Sequence, residues 1–105
     1  MTGTRLELLT RMHEQDPADA FCRYAIAQEY AKAGRTDEAL HWFDATLEAD
    51  ADYCYAFFHK AKVLQAAGRV DDAVATLRTG LDRARASGDG HAAGEISGLL
   101  TELGA

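Results

Sequence analysis

The stretch AKAGRTDEAL, Ala31 to Leu40, returns 34 residues later as QAAGRVDDAV, Gln65 to Val74, with Gly34, Arg35, Asp37 and Ala39 matched by Gly68, Arg69, Asp71 and Ala73. Spacing and residue type agree together, so the chain is a repeat array. A unit of this length is one supersecondary element copied. It cannot bury its apolar face alone, so copies stack and present an extended surface. Function is therefore expected on a face rather than in a pocket.

Working outward from that echo, Gly34 and Gly68 are placed as left-handed helix stops. Thr36 is placed to cap the next helix, and Asp37 and Glu38 stand in its first turn, where carboxylates interact favourably with the helix dipole. Apolar spacing at helical period then predicts a helix ending near Ala33, with Ile26, Ala27, Tyr30 and Ala33 as its stripe. The next, to about Ala49, turns Ala39, Leu40, Phe43, Thr46 and Leu47 inward and His41, Asp44, Ala45 and Glu48 outward. Helices follow over Tyr53 to Ala67 and Val70 to about Ala86, the latter with Ala73, Val74, Leu77, Leu81 and Ala84 inside. Leu6, Leu8, Leu9 and Met12 suit a short amphipathic first helix closed by Asp16-Pro17, a cap followed by a residue fit for the first helical position. Ser87-Gly88-Asp89-Gly90 breaks the rhythm and opens a last helix striped by Ala92, Ile96, Leu99, Leu100 and Leu103. The expectation is an all-α chain of six helices and no strands.

At 105 residues the chain fits a single domain, 1–105. Its 17 Asp and Glu against 11 Lys and Arg leave a net charge of -6, which argues against nucleic-acid and anionic-membrane partners, since these call for a basic field. No stretch approaches the roughly 20 apolar residues of a membrane span, and MTGTRLELLTRMHEQDP lacks the apolar run of a secretory signal, so a cytoplasmic location is expected. Cys22 and Cys54 have neither CxxC nor zinc spacing and are read as reduced packing thiols.

Catalytic constellations are absent from the sequence. His13, His41, His59 and His91 are scattered with no HExxH, Ser87 and Ser97 are the only serines and neither lies in GxSxG, and Gly88 and Gly90 precede no GK[ST]. Asp37-Glu38 and Asp71-Asp72 each open a helix, which accounts for them. No catalytic residue, cofactor or metal is expected. His59 reads as a plain surface histidine beside the face discussed below, and Trp42 as packing over a neighbouring helix. Gly94 and Gly98 each cost on the order of 1 kcal/mol of helix stability relative to Ala; the reason expected for them is a close helix crossing, within the chain or at a homodimer seam.

These residues resemble the tetratricopeptide repeat family, whose unit is a helix, a turn and a helix with small and aromatic residues at fixed places. Ala27, Tyr30, Ala39 and Phe43 take those places in the first copy, and Ala61, Leu64, Ala73 and Leu77 in the second. The resemblance implies a right-handed superhelix of antiparallel helix pairs: two full repeats, residues 20–53 and 54–87, an N-terminal half-repeat helix at 4–17 and a C-terminal capping helix at 89–103. Departures are Arg23 and Phe57 where Trp is frequent, Ala51 where Pro commonly closes the repeat, Gly80 where Ala is usual, and Lys60 in place of Leu, its stem laid along the core and its ammonium in water.

The resemblance further implies a concave face that binds extended peptides or helices through the first helix of each repeat. Here that face comprises Phe21, Tyr24, Gln28 and Lys32 from one copy and Tyr55, Phe58, Lys62 and Gln65 from the other. The spacing of Phe21, Tyr24, Gln28 and Lys32 independently sets them on one side of a helix, away from the Ile26/Tyr30 stripe, and clustered exposed aromatics mark contact surfaces. If flanking helices fold over them, they are core instead. The carboxylate clamp found on some members needs Lys and Asn at concave sites, and this chain has no Asn. The expected function is a non-catalytic interaction module for a protein or peptide partner; the alternative is a structural self-association unit, a homodimer or an end-to-end stack.

Overall fold

Gly34 and Gly68 lie in the left-handed region, with φ of 73° and 79°, where a Cβ is strained. Each turn is closed from one residue beyond: Arg35 N–H donates to the Tyr30 carbonyl (2.9 Å) and Arg69 N–H to the Leu64 carbonyl (2.8 Å), which satisfies carbonyls that a helix end otherwise leaves unpaired. These stops delimit the helices of the computed structural model, which describes residues 4 to 105. They are α1 (Thr4–Gln15), α2 (Ala20–Lys32), α3 (Thr36–Ala49), α4 (Cys54–Ala66), α5 (Val70–Ser87) and α6 (Gly90–Glu102), with no strand among the described residues. The first three residues of the expected domain lie outside the described residues.

Helix starts differ from expectation in two places. Asp19, not Asp16, caps α2 by accepting the Phe21 N–H at 3.0 Å, and Pro17 stays in the preceding turn. Thr36 does not cap α3: it is already the first helical residue, and Arg35 before it makes no side-chain cap bond. Arg35 instead pairs with Glu38 in the first turn. Asp89 caps α6 by accepting the Ala92 N–H at 3.0 Å.

Packing runs along the array as consecutive antiparallel pairs, α2 closest to α3 and α4 to α5, in the manner of a helical repeat superhelix. Ala27 and Ala39 are both fully buried in one cluster, and Ala61 and Ala73 in the next; with only methyl groups at these sites the paired helices approach closely. Phe43 and Leu77 fill the space that remains, both at 0% exposure. At Gly80 even a methyl group would not fit, since a Cβ there would stand 2.6 Å from Phe57 Cβ. The close approach of α4 at Phe57 Cβ thus requires glycine opposite it.

α6 buries Ala92, Ile96, Leu99 and Leu100 against α4 and α5, as its stripe predicts. Gly94 and Gly98, however, have no atom within 4 Å of a Cβ position, so no close crossing within the chain explains them. Ala33 is exposed and leaves the α2 stripe incomplete. Among the described residues of α1 only Leu9 is buried, with Leu6 half-covered; Leu8 (53% exposed) and Met12 (44%) face outward. Trp42 packs across to α1, its ring 4.9 Å from His13. Lys60 is partly covered and its Nζ ends on Asp44 Oδ1 at 2.7 Å. Cys22 and Cys54 are free and buried. No described helix is long and apolar enough to cross a membrane.

Candidate functional site

The first helices of successive pairs, α2 and α4, lie side by side with α6 beyond them, and their facing sides carry a row of rings. Tyr24 of α2 meets Tyr53 at 4.9 Å and, across on α4, His59 at 5.7 Å between centroids. His59 meets Phe58 edge-on at 5.2 Å, Phe58 meets Tyr55 at 6.4 Å, and Tyr55 reaches His91 of α6 at 6.3 Å. The Tyr24–His59, His59–Phe58 and Phe58–Tyr55 contacts are edge-to-face, a preferred arrangement of aromatic quadrupoles. The Lys62 ammonium stands 5.3 Å from the Phe58 ring centroid, a cation held over the π face. At the C-terminal ends of α2 and α4 the row opens into a shallow cleft of about 270 Å³ lined by Ala31, Gly34, Thr36, Lys62, Val63 and Ala66.

Of the expected concave residues, Gln28, Tyr55, Phe58 and Lys62 come together on this surface. The Gln28 amide donates to the Tyr24 hydroxyl at 3.2 Å. Tyr24 itself is core. At 9% exposure it packs against Phe43, Tyr53 and His59, because α4 follows α2 along the array and closes over it. Burial, with the neighbouring Tyr53 and Tyr55 hydroxyls, pushes its phenol up to about 12. Phe21 stands apart at the edge, 61% exposed. Lys32 is drawn towards α1 by Glu29, whose carboxylate also holds Arg5. Gln65 is exposed near the end of α4.

Three groups join the surface that the sequence reading had left out. His59 is a half-buried bridge between α2 and α4, not a plain surface histidine. Its imidazole is held below the usual histidine range by burial and by the nearby Lys62 charge, with Glu95 acting in the opposite direction. His91 and Glu95 of α6, paired at 3.1 Å, line the far side. A signal for them existed: matching the first residues of α2, α4 and α6 puts His91 in the place of Phe21 and Tyr55. The surface thus offers ring faces and edges, one cation and an adjacent carboxylate. Among the described residues no three His, Cys, Asp or Glu stand together as metal ligands.

No known family model and no curated protein matches the sequence. Solved structures do. A tetratricopeptide repeat domain protein from Salinibacter ruber is similar in its crystal structure (33% identity, TM-score 0.73, over 81% of this chain and 94% of that one). It is equally so in its solution structure (34% identity, TM-score 0.78, over 84% and 89%). The TPR2B domain of yeast Sti1, in its complex with pHsp70, shares the fold at TM-score 0.86 over 93% of this chain and 78% of that one, with 24% identity.

Proposed function

Because this chain belongs to the tetratricopeptide repeat family, we propose that it is a non-catalytic interaction module holding an extended or helical segment of a partner protein along α2, α4 and α6. Residues 20–53 and 54–87 are its two full repeats, 4–17 its half-repeat and 89–103 its cap. The observation that carries the reading is the ring row from Tyr24 through His59, Phe58 and Tyr55 to His91, with Lys62 above it. Tyr55 and Phe58 are only partly covered, so a ligand can still gain apolar contact there. Lys62 favours a carboxylate on that ligand, next to an aromatic or aliphatic side chain. The fold shared with the Sti1 domain, seen with pHsp70, supports an architecture able to seat a partner. Two unpaired, buried thiols suit a reducing compartment, and we place the protein in the cytoplasm.

The test is selection of peptides from a display library, followed by titration of the best binder into wild type and into Phe58→Ala with Lys62→Glu. Truncating a central interface aromatic typically costs on the order of 2 kcal/mol, so affinity should fall about thirtyfold or more, with helicity retained. Equal affinity for both proteins would move the site elsewhere.

A further inference from the structure

The line of side chains along α2 and α4 stops at α6. With Ala20, Cys54 and Gly90 as matching first residues, Tyr24 and Phe58 are followed by Gly94, and Gln28 and Lys62 by Gly98. Each glycine costs on the order of 1 kcal/mol of helix stability relative to Ala, and nothing described stands within 4 Å of a Cβ at either. Both are exposed, and they share the face of His91 and Glu95, because residues three and four apart are neighbours on a helix. A strip of bare backbone therefore runs beside Phe58 and Lys62.

Charge divides the same surface. Lys62 is exposed on α4, stands over the Phe58 ring and forms no ion pair among the described residues. Glu95 of α6, its side chain 43% exposed, has the His91 imidazole as its partner at 3.1 Å. After burial, the largest influences on the His59 imidazole are Lys62, which lowers it, and Glu95, which raises it. Both charges thus stand near one ring, yet no ion pair joins them. Packed helices lie about 8 to 10 Å apart, and Lys62 is three positions further along its helix than Glu95, about 4.5 Å of rise. The two charges are therefore roughly 10 Å apart, with the half-covered Phe58 and Tyr55 rings beside them.

We infer, on the basis of the partner-binding reading above, that this surface takes an amphipathic helix of the partner, one that presents a basic and an acidic residue seven positions apart with an apolar residue between them. Seven residues of α-helix rise about 10.5 Å and return to the same face, which matches the spacing of Glu95 and Lys62. The basic residue meets Glu95, the acidic one meets Lys62, and the apolar one covers Phe58 and Tyr55. A segment of a single sign is repelled at one end. An extended segment spans the same distance in about three residues, and residues three apart in a strand point to opposite faces, so its two charges cannot both reach the surface. Gly94 and Gly98 favour a helix for a second reason: side chains at the contact set how closely two helices pack, and here α6 contributes none.

The test is selection on the full chain from a displayed library of Ala-based peptides about 20 residues long, enough to be helical alone, randomised over one face. Wild type should enrich peptides with one basic and one acidic residue seven apart. Lys62→Glu should turn the preference to two basic residues and Glu95→Lys to two acidic ones, while the double exchange should restore mixed charge. Exposed ion pairs change affinity a few-fold each, so replacing both charges of a selected peptide by Gln should weaken it about tenfold. Gly94→Gln with Gly98→Gln fills the strip with better helix formers and should weaken binding by a similar factor with helicity kept. Binders of one charge sign, binders whose Gln forms are as tight, preferences that ignore the Lys62 and Glu95 exchanges, or full affinity for the double glycine variant would each overturn the inference and leave a peptide surface in place. No binder at all, or binders indifferent to Phe58→Ala, would overturn it together with the surface on which it rests.

Discussion

Tyr24 and Phe58 occupy the same place in successive repeats, yet Tyr24 is core and Phe58 is half open. The backbone around them is equivalent. What differs is the helix that follows: α4 brings His59 and Tyr53 over Tyr24, whereas the corresponding places at α6 hold Glu95 and Asp89, which carry no ring. In a one-dimensional array a side chain's environment belongs to the interface between neighbours as much as to its own repeat. Equivalent positions therefore carry different burdens, packing in the first repeat and accessible surface in the second.

The largest expected effect tests that division directly. Tyr24→Ala should destabilise by about 3 to 5 kcal/mol, the range for emptying a buried aromatic site, and Phe58→Ala by about 1 kcal/mol, since less of it leaves water on folding. Chemical denaturation of both variants measures the difference; equal losses would erase the distinction. A smaller contrast separates the second helices of the pairs. Gly80→Thr, which copies Thr46 of the first repeat, forces a Cβ to within 2.6 Å of Phe57 Cβ and should cost about 1 to 3 kcal/mol. Adding Phe57→Ala should not recover that loss, because it keeps the Cβ that stands 2.6 Å away and empties a buried site besides; full recovery would mean that the ring, not the close approach of the two helices, is the reason for the glycine.

The smallest effect concerns His59, which faces Lys62 on its own helix, Tyr24 on α2 and Glu95 on α6. Its folded value is depressed, so the unfolded chain binds the proton more readily. Stability from this group is complete above the ordinary value of 6.5 and declines as pH falls from there towards the folded value. Thermal melts between pH 7.5 and 5, at spacing about that of one titration, should show a shallower decline for His59→Gln than for wild type; parallel curves would remove His59 from the account.

The helices were legible in the sequence because their signals are local: Gly34, Gly68, the acid pairs that follow them and the apolar stripes each act within a turn or two. The face was legible less well. Phe21, Tyr24, Gln28 and Lys32 do share one side of α2, but which of them stays exposed depends on α1 and α4. Glu29 recruits Lys32 together with Arg5, and α4 covers Tyr24. His59 escaped because its burial arises between two helices whose spacing no single segment encodes. Leu8 and Met12 satisfied the amphipathic pattern of α1 and yet point outward, since the pattern cannot say whether a partner helix is there to meet them.

The two sealed thiols make a pair of clocks. Cys22 lies between α1 and α2, its Sγ donating to the Leu9 carbonyl at 3.3 Å, and Cys54 sits in the α4–α6 cluster. Burial holds both above the ordinary thiol range, and only an exposed thiolate attacks a modifying reagent. Alkylation at either sulfur therefore records how often that end of the molecule opens. α1 rests mainly on one helix, so Cys22 should be consumed first, and the ratio of the two labelling rates reads how unevenly the array breathes from end to end.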